Sequence, residues 1–156
     1  MVLAAALGVF RAIRNGRGLA IAVLIALYGV CLLLSATFPP DPVPGFPVGS
    51  PGGTVTTSGV LHLVFGAIGF VALAAAAFAH AGWCRAIGAG RDALVSTGLA
   101  LAVLVGFCGG AALATSPVGV GLLWLSVLAG LGWLALASAQ IYRWSPHPVS
   151  AERVAA

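Results

Sequence analysis

The sequence predicts an all-α integral membrane four-helix bundle with both termini cytoplasmic, and three observations carry that prediction. Of 156 residues, 6% are charged and 61% hydrophobic, whereas a soluble domain carries about a quarter charged residues. At a mean hydropathy of +1.12, one small globule would leave too little polar surface to face water, and a bilayer removes that problem. Residues 18–37, 58–80, 93–114 and 118–141 form four stretches without Asp, Glu, Lys or Arg, each reaching the length of about 20 residues that a helix needs to cross the hydrocarbon core. Helices are required there, because unpaired backbone groups are costly in lipid and a barrel would show short alternating strands. The third observation is the placement of arginine. Arg11, Arg14 and Arg17 precede the first span, Arg85 and Arg91 separate the second from the third, and Arg143 and Arg153 follow the fourth. The other two connections hold none, so the positive-inside rule puts both termini and the middle loop in the cytoplasm.

Three regions follow: a cytoplasmic or interfacial segment 1–17, a membrane domain 18–141 and a cytoplasmic tail 142–156. The apolar run "MVLAAALGVF" is too short to span. Its arginines follow the apolar run, the wrong order for a signal peptide. It reads as an interfacial helix with Arg11, Arg14 and Arg17 at the headgroups. Those arginines, with Trp83, Arg85, Arg91, Tyr142, Arg143 and Trp144, are the expected interface anchors.

The first connection, "FPPDPVPGFPVGSPGGTVTTSGVLH" from Phe38 to His62, holds six of the nine prolines. It reads as a stiff extended ribbon over the outer helix ends, with bends at Gly45, Gly49, Gly52 and Gly53. The hydroxyls of "TVTTS" are candidate caps for the second span. The last connection, "TSPVG", is a minimal turn with Thr115 or Ser116 as cap and Pro117 at the first helical position. Small residues at helical spacing, Gly69, Ala72 and Ala76 in the second span and Gly98, Ala102, Gly106 and Gly110 in the third, predict close helix packing and a packed centre there. They also offer a face to a second copy or another membrane protein.

At "FPPDP", followed by a Gly/Pro loop and "TTSGVLH", the chain resembles the bacterial and archaeal membrane proteins grouped as domain of unknown function 998. Phe38, Pro39, Asp41, Thr56, Gly59 and His62 stand at the places of that family's motif. The resemblance implies a helical membrane fold and no particular reaction. It also implies up to six spans, on which comparison "MVLAAALGVFRAIRNGRG" would be the tail of a further span.

Asp41, Ser58 and His62 are the candidate catalytic residues. Ser58 and His62 are one turn apart at the outer end of the second span, and Asp41 lies near the end of the first. A carboxylate beside imidazole fixes its tautomer and raises its basicity, which suits a hydrolase or a metal or redox site with His62 as the candidate ligand. A catalytic zinc typically needs three protein ligands, and His80 and His147 are assigned to the opposite surface. His62 and His80 stand roughly 27 Å apart on one helix. No metal and no cofactor is therefore expected. The plainer reading has Asp41 and His62 bonded to each other or to nearby backbone, pinning the ribbon down. Clustered Arg without a basic patch excludes nucleic acid as a partner and favours the lipid bilayer. Cys31, Cys84 and Cys108 are too scattered for a disulfide framework.

The expected function is a structural or interaction component of the bacterial cytoplasmic (inner) membrane, not an enzyme. The alternatives are an outward-facing enzyme or redox subunit built on Asp41, Ser58 and His62, and a small oligomeric transporter.

Overall fold

The computed structural model describes residues 1–144; His147 and Arg153 lie outside them. The helices are α1 (Val2–Ala12), α2 (Gly16–Thr37), α3 (Thr57–Ala86), α4 (Gly90–Ala112) and α5 (Pro117–Trp144). The last four are long and apolar enough to cross a membrane. Each carries the predicted span, with ends shifted by a few residues. The largest shift is at α3, which passes the predicted stop at His80 and continues to Ala86. The stretch "AGWCRA" contains no proline and its single glycine is tolerated within the helix, and the chain turns only where Gly88 takes φ +80, a left-handed conformation that favours glycine. At 30 residues α3 is about 45 Å long against a hydrocarbon core of about 30 Å.

Consecutive spans are antiparallel. Tyr28 and Cys31 of α2 lie beside Gly69 of α3, Ser96 of α4 donates to the Ala77 carbonyl of α3 (2.8 Å), and Ser126 of α5 donates to Val103 of α4 (2.9 Å). Helix α3 touches α2, α4 and α5, and α4 touches α3 and α5. These are the two spans in which small residues recur. Ala72 and Ala76 are buried, and a Cβ on Gly69 would stand 3.1 Å from the Cβ of Cys31. On α4, a Cβ on Gly106 would stand 2.9 Å from the Leu122 carbonyl oxygen, and one on Gly110 2.8 Å from the Leu123 amide nitrogen. Small side chains let these backbones approach where lipid provides no hydrophobic drive between helices. Ala102 is half-buried, and Gly98 is exposed with nothing close to its Cβ position. Gly98 is thus no part of the intramolecular seam, because a step of four residues drifts around a helix of 3.6 per turn and carries position 98 off the α5 face.

The N-terminal segment departs from the expectation of a helix lying in the headgroup layer. Helix α1 runs antiparallel along α2, with Ile13 against Gly18 at one end and Val2 and Leu3 against Gly29 at the other. Ala6, Val9 and Ile13 join the core cluster that contains Ile21, Ile25 and Tyr28. No charged side chain occurs before Arg11 and the Met1 end of the helix is exposed, so burial of the Ala6, Val9 and Ile13 face desolvates no charged side chain. Arg11, Arg14 and Arg17 remain together at the α1–α2 turn, where Asn15 caps α2 by accepting from Gly18 N (3.0 Å).

Trp83 also departs from its expected place. It is 9% exposed and stacks on His80 with ring centroids 5.5 Å apart, whereas Tyr142 and Trp144 are exposed. The added turns of α3 carry Trp83 onto the inward side, where an indole buries more apolar area than at an interface.

Candidate functional site

The connection between α2 and α3 is a folded loop, not an extended ribbon. Val43 and Phe46 exchange backbone hydrogen bonds of 2.9 Å in both directions, and Gly45 N donates to Ser50 O (2.9 Å). Gly45, Gly49 and Gly52 take positive φ, which supplies the turns that a proline-stiffened chain cannot make elsewhere.

The loop is fastened by the polar residues singled out above, each in its own way. Asp41 accepts from the Thr56 amide (2.8 Å) and the Thr56 hydroxyl (2.6 Å). Thr56 is at the same time the N-cap of α3, its Oγ1 accepting from Gly59 N (3.1 Å). These two bonds hold the Asp41 carboxyl below its ordinary pKa, the Thr56 hydroxyl contributing most. The carboxylate lies against Gly59, and any side chain there would overlap it. Ser58 Oγ donates to Pro39 O (3.1 Å). His62 Nδ1 lies 3.0 Å from Ser35 O and 2.9 Å from Phe38 O. Two carbonyls can only accept, so Nδ1 carries the proton and the lone pair of the neutral ring is on Nε2. Ser35 Oγ answers by donating to His62 O (3.1 Å), and the Phe38 ring stacks on Phe65 at 5.8 Å.

Asp41, Ser58 and His62 therefore occupy one end of the bundle without bonding to one another. Each is tied to Thr56 or to backbone at the α2 exit. The order of a catalytic relay, acid to imidazole to hydroxyl, is not the order of these bonds.

A second polar cluster lies near the other end, where the sequence showed only a histidine at a span terminus. Ser96 Oγ of α4 is its hub: it donates to Ala77 O (2.8 Å) and accepts from Trp133 Nε1 of α5 (2.8 Å). His80 Nδ1 of α3 lies 3.2 Å away. With the hydroxyl proton on the shorter bond to Ala77, His80 Nδ1 is the donor, and Nε2 faces Cys84 Sγ at 3.7 Å. Trp133 also meets His80 edge-on, centroids 6.0 Å apart. His80 is 0% exposed, and among the described residues no buried side-chain nitrogen or oxygen lacks a partner. The i, i+4 spacing of His80 and Cys84 was visible in the sequence, but Ser96 and Trp133 come from other helices and carried no signal of their own. Among the described residues no group of three or more His, Cys, Asp or Glu is placed to hold a metal.

Residues 1–140 match the family described as Protein of unknown function (DUF998), and the chain belongs to that family. No curated protein matches it, and no solved structure does. It is an integral, multi-pass membrane protein in which the motif residues Phe38, Pro39, Asp41, Thr56, Gly59 and His62 form one clasp between two spans.

Proposed function

We propose that this protein is a structural or interaction component of a bacterial cytoplasmic membrane, with its arginine-bearing end inside and the clasped loop outside. One observation carries the reading: the motif residues are bonded to one another and to backbone, an arrangement that holds α2, the loop and α3 in fixed register. Polar staples of this kind need no substrate. The arginine asymmetry supports the orientation. Exposed small and aliphatic positions on α4, Gly98 beside Leu94 and Leu101, suit contact with another span or a second copy.

The test is purification from native membranes in mild detergent after photo-crosslinking through an unnatural residue at Leu101. The expected product is one defined adduct, with this chain or with another membrane protein, that disappears when the probe is moved to the buried position Val103. Substrate flux in vesicles with no adduct would replace this reading by the small transporter.

A second reading is supported by the His62 tautomer. The Nε2 lone pair is the atom that a metal or a proton donor would use, so an outward-facing redox or metal subunit formed by two copies is the alternative. Stoichiometric metal or haem absorbance lost in His62→Ala would establish it.

A further inference from the structure

Between the end of α1 and the first turns of α2 the surface opens into a cleft of about 490 Å³, within the size range of small-molecule sites. Its walls are of two chemistries. Phe10, Ile13 and Leu19 supply an apolar side, and Arg11 and Arg14 flank it. Both arginines are exposed, and Arg14 Nε donates to Arg11 O (3.4 Å), which draws the Arg14 side chain back over the end of α1. Among the described residues neither forms an ion pair. The chain has three carboxylate side chains: Asp41 is at the far end of the bundle, Asp92 is in the first turn of α4, and Glu152 is outside the described residues.

We propose that this cleft is a binding site for an anionic phospholipid, its phosphate held by Arg11 and Arg14 and the start of an acyl chain lying against Phe10, Ile13 and Leu19. Charge complementarity selects the headgroup: two guanidiniums with no counter-ion among the described residues lie at the end of the bundle where the arginines gather, suited to lipid phosphates. The apolar wall selects the lipid over free phosphate. Phe10 and Leu19 are about half exposed, at 52% and 50%, and inorganic phosphate would leave that surface uncovered, whereas a chain would cover it. The site goes beyond generic attraction of a basic face, because both components occur in one cleft between two helices. It is independent of whether the protein is a scaffold, an enzyme or a transporter.

The experiment is native mass spectrometry of the full chain in neutral detergent, titrated with phosphatidylglycerol, phosphatidylcholine and inorganic phosphate. One phosphatidylglycerol should bind ahead of all others, with phosphatidylcholine weaker and phosphate failing to displace it. Removing both charges in Arg11→Gln/Arg14→Gln should weaken phosphatidylglycerol roughly tenfold or more, given the worth of a basic residue beside an anionic headgroup. Arg91→Gln/Arg143→Gln removes the same net charge away from the cleft and should leave the first binding event within about twofold of wild type. Phe10→Ala should weaken it without altering the preference for the anionic headgroup. Equal loss in the two double variants would overturn the site in favour of diffuse electrostatics. Displacement by inorganic phosphate would overturn the lipid in favour of a free anion.

Discussion

Ser35 and His62 hold each other twice: the serine hydroxyl donates to the His62 carbonyl at 3.1 Å, and the imidazole Nδ1 donates back to the Ser35 carbonyl at 3.0 Å. The pair joins the last turns of α2 to the second turn of α3. Interhelical hydrogen bonds in membrane proteins are worth about 0.6 kcal/mol on average and about 1.7 at most. Each bond runs from one side chain to the other residue's backbone carbonyl, so Ser35→Ala and His62→Ala, read by unfolding in mixed micelles, should each lose about the worth of its own bonds, and the double variant about the sum. A double variant that loses no more than His62→Ala alone would show that the serine bond forms only when the imidazole bond is in place.

Gly59 should be irreplaceable for a steric reason. Its missing side chain is the space in which the Asp41 carboxylate lies. Gly59→Ala forces the carboxylate away from Thr56 and should cost about 1–3 kcal/mol, together with faster protease cleavage between residues 42 and 55. Gly66→Ala, whose new methyl would meet only the Ser35 hydroxyl oxygen at 4.0 Å, is the control and should be tolerated. Equal sensitivity of the two variants would remove Asp41 from the explanation.

The Asp41–Thr56 bond gives the loop an acid dependence of known sign. The folded pKa lies below the unfolded value of 3.8, so the stabilisation is complete above that value and is lost as pH falls through the folded pKa. Amide exchange at Thr56 should stay slow relative to its intrinsic rate down to about pH 4 and lose protection only in stronger acid. Asp41→Asn should abolish this acid step. A protection change centred between pH 6 and 7 would instead implicate a histidine.

Ser96 should matter more than either partner that it serves. Ser96→Ala removes the acceptor for Trp133 Nε1 and His80 Nδ1 and the donor to Ala77 O. Leaving buried donors unmatched costs about 1–3 kcal/mol each, so the loss should exceed that of Trp133→Phe, which removes one donor and leaves Ser96 bonded to Ala77. Thermal unfolding followed by tryptophan fluorescence would rank the two variants. A larger loss in Trp133→Phe would place the stabilisation in indole packing.

The glycines of α4 separate by register. Gly110→Ala puts a methyl against the Leu123 backbone and should separate α4 from α5 at a cost of about 1–3 kcal/mol. Gly98→Ala meets open space and should be neutral or slightly stabilising through helix propensity. Unfolding in mixed micelles compares them directly. A destabilised Gly98→Ala monomer would show that its surface has an intramolecular partner.

The spans were legible because length and absence of charge are written residue by residue, and no soluble arrangement satisfies them. Two caps were legible to within a few residues: the hydroxyls of "TVTTS" include Thr56 and the pair Thr115 and Ser116 includes the second cap, and Thr56 and Ser116 each accept from the amide three residues on (3.1 Å). Rotation of each helix about its axis was not legible. In lipid both the packed and the outward faces are apolar, so the pattern that orients a soluble helix is nearly flat. That is why Trp83 reads as an interface residue and Gly98 as part of the seam, whereas α1 reads as surface-lying because its apolar run is too short to span. Asp41, Ser58 and His62 were found because polar residues are rare here, but their bonding order depends on how the loop folds. The Ser96 hub draws on three helices and has no counterpart in any local stretch of sequence.

The clasp between Asp41 and Thr56 closes the intervening loop on itself, and Val48 near its tip is 99% exposed. The loop is therefore a ready-made attachment point. A short peptide tag inserted after Val48 would extend into solvent on its own stem while the bonds that align α2 with α3 stayed outside the lengthened segment. Antibody access to such a tag in intact cells would reveal which side of the membrane the loop faces, in a protein still held in its native register.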